Sequence, residues 1–201
     1  MVNDVIDEIF KVLSFLPDNI FVRAGVETLL VILLLFATGL IINGVSGIIV
    51  RLLAALFGGR VSYIFRNYLT WPGTVHHEFS HALFAFITGA KVTRISLIPH
   101  GQALGQVEYR QRGGRVLRAL QMSLSSIAPI LCGMVTETLL IIYVLPKCDV
   151  WWEYALSGYF IVSIFLHMTL SREDMTNLLN GILPTVFVLY CVFLIIGAVT
   201  G

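Results

Sequence analysis

The chain has 201 residues, of which 57% are hydrophobic and 12% charged, with a formal net charge of +1 and a mean hydropathy of +0.88. A soluble domain carries roughly 25% charge, so this composition excludes one and leaves little polar sequence for a separate soluble domain. The near-neutral balance offers no basic surface, so no nucleic-acid partner is expected and the lipid bilayer is the expected surrounding. The reading is an all-α multi-pass membrane protein with about five transmembrane helices, forming one integral-membrane domain over residues 1–201. Cys132, Cys148 and Cys191 show no paired spacing, and no disulfide framework is expected.

Residues 1–27 read as an interfacial N-terminal segment. Val5, Ile6, Ile9, Phe10, Val12, Leu13 and Leu16 fall at helical spacing, with Asp4, Asp7, Glu8 and Lys11 elsewhere, and Pro17 ends the pattern. Thr28 to Val50 carries no charge and is long enough to cross a bilayer. Its small residues favour close helix packing, and Asn43 within it is expected to hydrogen-bond to a neighbouring helix. Residues 51–70 are mixed, with Arg51, Arg60 and Arg66 among apolar side chains.

Next come Trp71-Pro72-Gly73 and then His77-Glu78-Phe79-Ser80-His81. Residues four apart lie on one face of a helix, so His77 and His81 can reach one metal ion. Glu78 is then placed as a general base for a water at that ion. His76 points about 100° away from His77 and is read as a neighbour. The bland alternative is a pair of packing histidines, but ionisable groups in apolar helices are costly and functional by default. Pro72 either opens this helix or kinks a longer one, and Gly89 is a plausible stop. Taken from Pro72 the helix is short for a full crossing, so residues 61–70 extend it or it crosses in part.

Residues 91–118 read as a β-hairpin followed by a basic loop. Lys91 to Ile98 is strand-prone, Pro99-His100-Gly101 is turn-like, and Gly105 to Arg110 alternates with Val107 and Tyr109 on one face. Arg110, Arg112, Arg115 and Arg118 suit lipid headgroups and topology. Three apolar segments follow, from about Met122 to Leu145, Trp151 to Leu170 and Ile182 to Gly201, with a polar insert Ser171–Asn177 between the last two. With a cytoplasmic N-terminus, nine Lys and Arg fall inside and four outside, the sense the positive-inside rule favours.

A catalytic zinc takes three protein ligands and keeps one position open. Asp174, in the polar insert, heads the candidates for the third, ahead of Glu173, His167 and Glu137. A helix cap is the plain alternative for Asp174. Asn177 lies three residues later and could orient Asp174 or donate to an oxyanion, and is equally read as a helix-start amide.

These motifs resemble the site-2 protease family of intramembrane zinc metalloproteases, over roughly residues 70–180. His77–His81, the helix to Thr88, Gly89-Ala90-Lys91-Val92 and Ile95-Ser96-Leu97 are similar to the family's metal helix and the hairpin after it. Leu104-Gly105-Gln106-Val107 resembles its second strand, and Ser126-Ile127-Ala128-Pro129 with Cys132 resembles its Gly-Pro-x-x-Asn helix, with Cys in place of Asn. Asp174 takes the place of the late aspartate, followed by Met175 rather than Gly, as in a compact, divergent member without a PDZ domain. The resemblance implies one catalytic Zn²⁺ held by His77, His81 and Asp174, Glu78 as base, and a membrane-protein or membrane-associated peptide substrate laid along the hairpin, near Leu97, Gly105 and Val107. The rival expectations are a non-proteolytic membrane scaffold of the same fold, and a membrane zincin acting on soluble peptides with Glu137 or Glu173 as ligand.

Overall fold

The computed structural model describes residues 19–97 and 105–200. The expected amphipathic helix over residues 5–16, the turn at Pro99-His100-Gly101 and Leu104 lie outside the described residues. The chain divides into two compact units, Met1–Phe36 with Thr185–Gly201, and Ala37–Pro184.

In the first unit, helix α1 (Ile20–Phe57) begins and helix α7 (Ile182–Thr200) ends. Asn19 starts α1: its side-chain oxygen accepts from the amides of Phe21 and Val22 at 3.0 and 3.3 Å, serving two first-turn donors that the helix cannot. Arg23 and Glu27 pair one turn apart at 3.0 Å. The helix therefore already includes residues 20–27, which the sequence pattern assigns to an interfacial segment, and it runs on past Val50 to Phe57. Tyr190 of α7 donates to the Phe21 carbonyl at 3.4 Å. The window of highest hydropathy in α7 averages 2.6 and contains no buried residue, the surface expected of a helix solvated by lipid tails.

The second unit holds the rest of α1, then α2 (Gly59–Ile64), a π turn at Phe65–Leu69, α3 (Trp71–Ile87), strands β1 (Lys91–Ser96) and β2 (Gln106–Arg110), α4 (Arg115–Leu139), α5 (Trp151–His167) and α6 (Arg172–Asn180). A π turn and a short 3₁₀ turn carry α4 on to Lys147. Helix α3 packs most extensively on α4 and α5, and α4 also packs on α6.

The interior of this unit is small and polar: Thr70, Thr74, Gln121, Ser123, Ser125 and Ser163 are all buried, while Leu, Ile, Val and Phe side chains dominate the exposed surface. That inversion suits a bilayer, where helices gain by close approach and hydrogen bonding rather than by hiding apolar groups from water. Gly73 shows how close: a Cβ there would meet the Ser163 carbonyl and the His167 ring. Asn43 was expected to bond to a neighbouring helix; it accepts instead from the Leu170 amide at 3.2 Å, in the link between α5 and α6.

The strands pair antiparallel, with Ile95 opposite Val107, Val92 opposite Tyr109, and a bulge between Val92 and Arg94. Val107 and Tyr109 are half-buried and their neighbours exposed, the alternation read from the sequence.

Among the described residues three helices are long and apolar enough to cross a membrane, Ile20–Phe57, Arg115–Lys147 and Ile182–Thr200, and the pair α5 and α6, bent by 62°, makes a fourth if counted as one span. Among the described residues three to four of the about five expected spans are found, and the reason lies before α3. Residues 61–70 do not extend it: Thr70 takes its amide bond from the Phe65 carbonyl five residues back, its hydroxyl donates to the carbonyls of Phe65 and Arg66, and Pro72 has no amide to offer the preceding turn. Helix α3 is thus left with 17 residues, opened by Pro72 and closed by Gly89 at φ 87°, a backbone geometry glycine adopts without strain. The apolar run to Leu170 also ends early, because α5 stops at His167 and the chain turns before α6.

Candidate metal centre

Helix α3 is fixed at both ends before it presents its histidines. At its start, the Ser163 hydroxyl of α5 accepts from the Gly73 amide at 2.8 Å and donates to the Thr70 carbonyl at 2.9 Å. At its end, fully buried Gln121 of α4 donates to the carbonyls of Thr88 and Arg112 at 3.0 and 3.2 Å and accepts from the Arg112 amide at 2.9 Å. One side chain therefore ties the end of α3, the end of the hairpin and α4 together.

Between these ties His77 and His81 project toward α4, α5 and α6. The His77 Nδ1 lies 2.6 Å from the His167 carbonyl, and the His81 Nδ1 lies 2.7 Å from the Ser125 carbonyl. A carbonyl only accepts, so each Nδ1 carries the proton and each Nε2 is a bare lone pair. Those two lone pairs face each other at 3.0 Å, and the Asp174 Oδ1 lies 3.6 Å from the His81 Nε2. Donor atoms of all three residues fall within 4.8 Å of one another.

Three electron-pair donors converging in a half-buried pocket repel unless a cation lies among them. A tetrahedral shell with ligands at about 2.0–2.1 Å sets neighbouring donors roughly 3.3 Å apart, between the two separations seen. The donor set therefore fits a divalent metal, with His77, His81 and Asp174 as its holders. Among the described residues this is the one group of three or more His, Cys, Asp or Glu side chains whose donor atoms come so close together.

Asp174 comes from the third position of α6. Ser171 caps that helix: its hydroxyl accepts from the Asp174 amide at 3.0 Å and donates to Oδ2 at 2.6 Å, and its own amide also donates to Oδ2 at 2.9 Å. Ser171 rather than Asp174 is the capping residue, and Asp174 returns the bond with Oδ2 while Oδ1 stays free to face the histidines. Asp174 thus begins a short helix of its own, rather than ending the preceding membrane segment.

Glu78 is 5% exposed. The chain entering β2 passes over it, and a Cβ on Gly105 would lie 2.6 Å from Cγ and 2.7 Å from Oε1 of Glu78. Tyr109 of β2 lies near the Ser125 side chain and Asp174. Burial pushes its phenol above the usual range, the nearby Ser125 hydroxyl draws it back, and the carboxylates of Asp174 and Glu173 add to the rise, so the phenol stays protonated at neutral pH.

The other sequence candidates lie apart. Glu173 is exposed. The His167 ring turns to its own helix, Nδ1 lying 2.9 Å from the Ser163 carbonyl, so His167 serves His77 through its backbone instead of ligating. Glu137 sits near Phe165, outside the donor cluster. Asn177 is half-buried on α6, and its carbonyl accepts from the Gly181 amide. Leu97, at the end of β1, accepts from the Trp71 indole at 3.1 Å, and Val107 lies two residues beyond Gly105 in β2.

His76 faces away, its Nε2 3.0 Å from the Thr136 hydroxyl. With Phe79, Leu83, Leu131, Cys132 and Val135 it lines a cavity of about 450 Å³ between α3 and α4, so Cys132 belongs to that face and not to the metal cluster. Sequence reading missed Ser125, Gln121 and Ser163. All are buried polar residues in apolar helices, which was the available signal.

The family model described as Peptidase M50B-like matches residues 47–200. No curated protein and no solved structure matches the chain.

Proposed function

We propose, because the chain belongs to the Peptidase M50B-like family, which is the site-2 protease family, that this membrane metalloprotease is a zinc-dependent intramembrane endopeptidase. The observation that carries the reading is the convergence of His77, His81 and Asp174 beside Glu78 on one face of the unit. Two imidazoles and one carboxylate with an open position are a zinc hydrolase donor set. Zinc held there supplies Lewis acidity and brings the pKa of water toward neutrality.

The chain's own residues do the rest. His77 and His81 are oriented by carbonyls, and Asp174 by Ser171, so none has to reorganise on binding. Glu78, the residue after His77, takes the proton of the attacking water and returns it to the leaving amine. Gly105 brings backbone against that carboxylate where any side chain would displace it. An unwound stretch of a membrane-protein or membrane-associated peptide substrate pairs with the hairpin edge near Leu97, Gly105 and Val107. Asn177 supports Asp174 or the developing oxyanion from α6. The distribution of Lys and Arg supports a cytoplasmic opening of the site. A zincin for soluble peptides using Glu173 or Glu137 is disfavoured, since Glu173 is exposed and Glu137 lies outside the cluster.

The test is Glu78→Gln in the full chain, co-expressed with single-span membrane substrates. Cleavage should fall by a factor of roughly 10²–10⁴ while zinc content is unchanged. Undiminished cleavage overturns the assignment.

A further inference from the structure

We propose that Pro129 is a positioning residue for the metal ligand His81, acting through the backbone carbonyl of Ser125. The inference rests on the metal-centre reading above and adds a residue to it.

Pro129 lies inside α4 and is fully buried. Proline has no amide hydrogen, so the carbonyl four residues earlier loses its helical donor. That carbonyl belongs to Ser125, itself 1% exposed. A buried carbonyl needs a partner, and this one has the Nδ1 of His81 at 2.7 Å. The Ser125 hydroxyl donates in return to the His81 carbonyl at 2.9 Å, so ring and backbone of His81 are gripped by one residue of α4. With its Nδ1 proton committed, His81 directs Nε2 at His77 and Asp174.

His77 shows the same device reached by another route. Its Nδ1 donates to the carbonyl of His167, the last residue of α5, where the helix has run out of amides. One imidazole is thus oriented by a carbonyl that a helix end releases, the other by a carbonyl that a proline releases. An amide hydrogen at position 129 would compete with His81 for Ser125 and free the ring to turn.

The experiment uses the full chain purified in detergent, with zinc affinity read by competition against a chromophoric chelator. Two replacements are compared: Pro129→Ala, which restores the amide hydrogen, and the same alanine introduced as its α-hydroxy acid, an ester with no hydrogen to donate. Pro129→Ala should weaken zinc binding by about tenfold or more, the scale of a lost supporting hydrogen bond, while the metal-free form is at least as heat-stable as wild type. The ester variant should keep wild-type affinity. Equal affinity in Pro129→Ala, or equal loss in both variants, overturns the inference, because the proline then acts only through shape. If Pro129→Ala fails to fold, an ester variant that folds and binds zinc still supports it, and failure of both overturns it. A wild-type chain without zinc that His81→Ala removes overturns the centre and this inference with it; zinc bound by Pro129→Ala at wild-type affinity overturns this inference alone.

Discussion

Asp174 divides its work between its two oxygens. Oδ2 is held by the amide and hydroxyl of Ser171, and Oδ1 is the atom nearest His81. Ser171→Ala therefore removes a cap and the tether of a ligand together. We predict a fall in metal affinity of roughly 10- to 100-fold by competition titration, with Ser171→Thr restoring most of it because its hydroxyl repeats both bonds. Asp174 was legible as a candidate ligand or a candidate cap. What the sequence could not tell is that one carboxylate is placed for both, since that depends on where the start of α6 lies relative to α3. Gly105 makes a second prediction at this scale. Gly105→Ala puts a methyl within 2.6 Å of the Glu78 side chain. Proteolysis should be lost while bound metal stays stoichiometric, since the displaced group is not a ligand.

Helix α3 depends on neighbours that its own sequence does not name. Its end was legible in Gly89, while Pro72 suited either a first turn or a kink, and the structure takes the first turn. The hairpin after it was legible too, from the alternation around Val107 and Tyr109. The polar residues of α4 and α5 that hold it were not, because Gln121 and Ser163 look like ordinary members of amphipathic or apolar runs until their partners are known. Gln121→Leu leaves the carbonyls of Thr88 and Arg112 and the Arg112 amide without it. It should cost about 1–3 kcal/mol in all, because exposed Arg112 can turn to water, read as lost hydrogen-exchange protection across the α3–β1 junction and at Arg112. The break between α5 and α6 was hidden for a different reason. An apolar run ending in a polar insert reads as one helix leaving a membrane, and nothing local announces a 62° turn.

At the scale of the molecule, composition alone established membrane residence, since so few charges cannot cover a soluble surface of this size. It could not count crossings, because a 17-residue helix and a bent pair register in hydropathy much as full spans do. Helix α7 gives the direct check. Ile195 is 64% exposed, and Ile195→Arg should raise the apparent cost of membrane insertion by about 2.5–3.5 kcal/mol in a glycosylation-tag assay. Metal removal should act differently. A chelator should abolish proteolysis while the helical circular dichroism stays, because the bonds that hold α3 to α4 and α5 run through Ser163, Gln121 and Ser125 and involve no ion.

The turn between α5 and α6 has a consequence of its own. The carbonyl that orients His77 lies at its near edge, at His167, and Asp174 lies just past its far edge. An ion held by His77 and Asp174 would close a clasp across the turn, through the bond from His77 to the His167 carbonyl. Bend and ion then share a single coupling free energy: whatever straightens the bend expels the ion by the same factor by which the ion stiffens the bend. A substrate or partner able to pry α6 from α5 would silence the centre without touching a ligand.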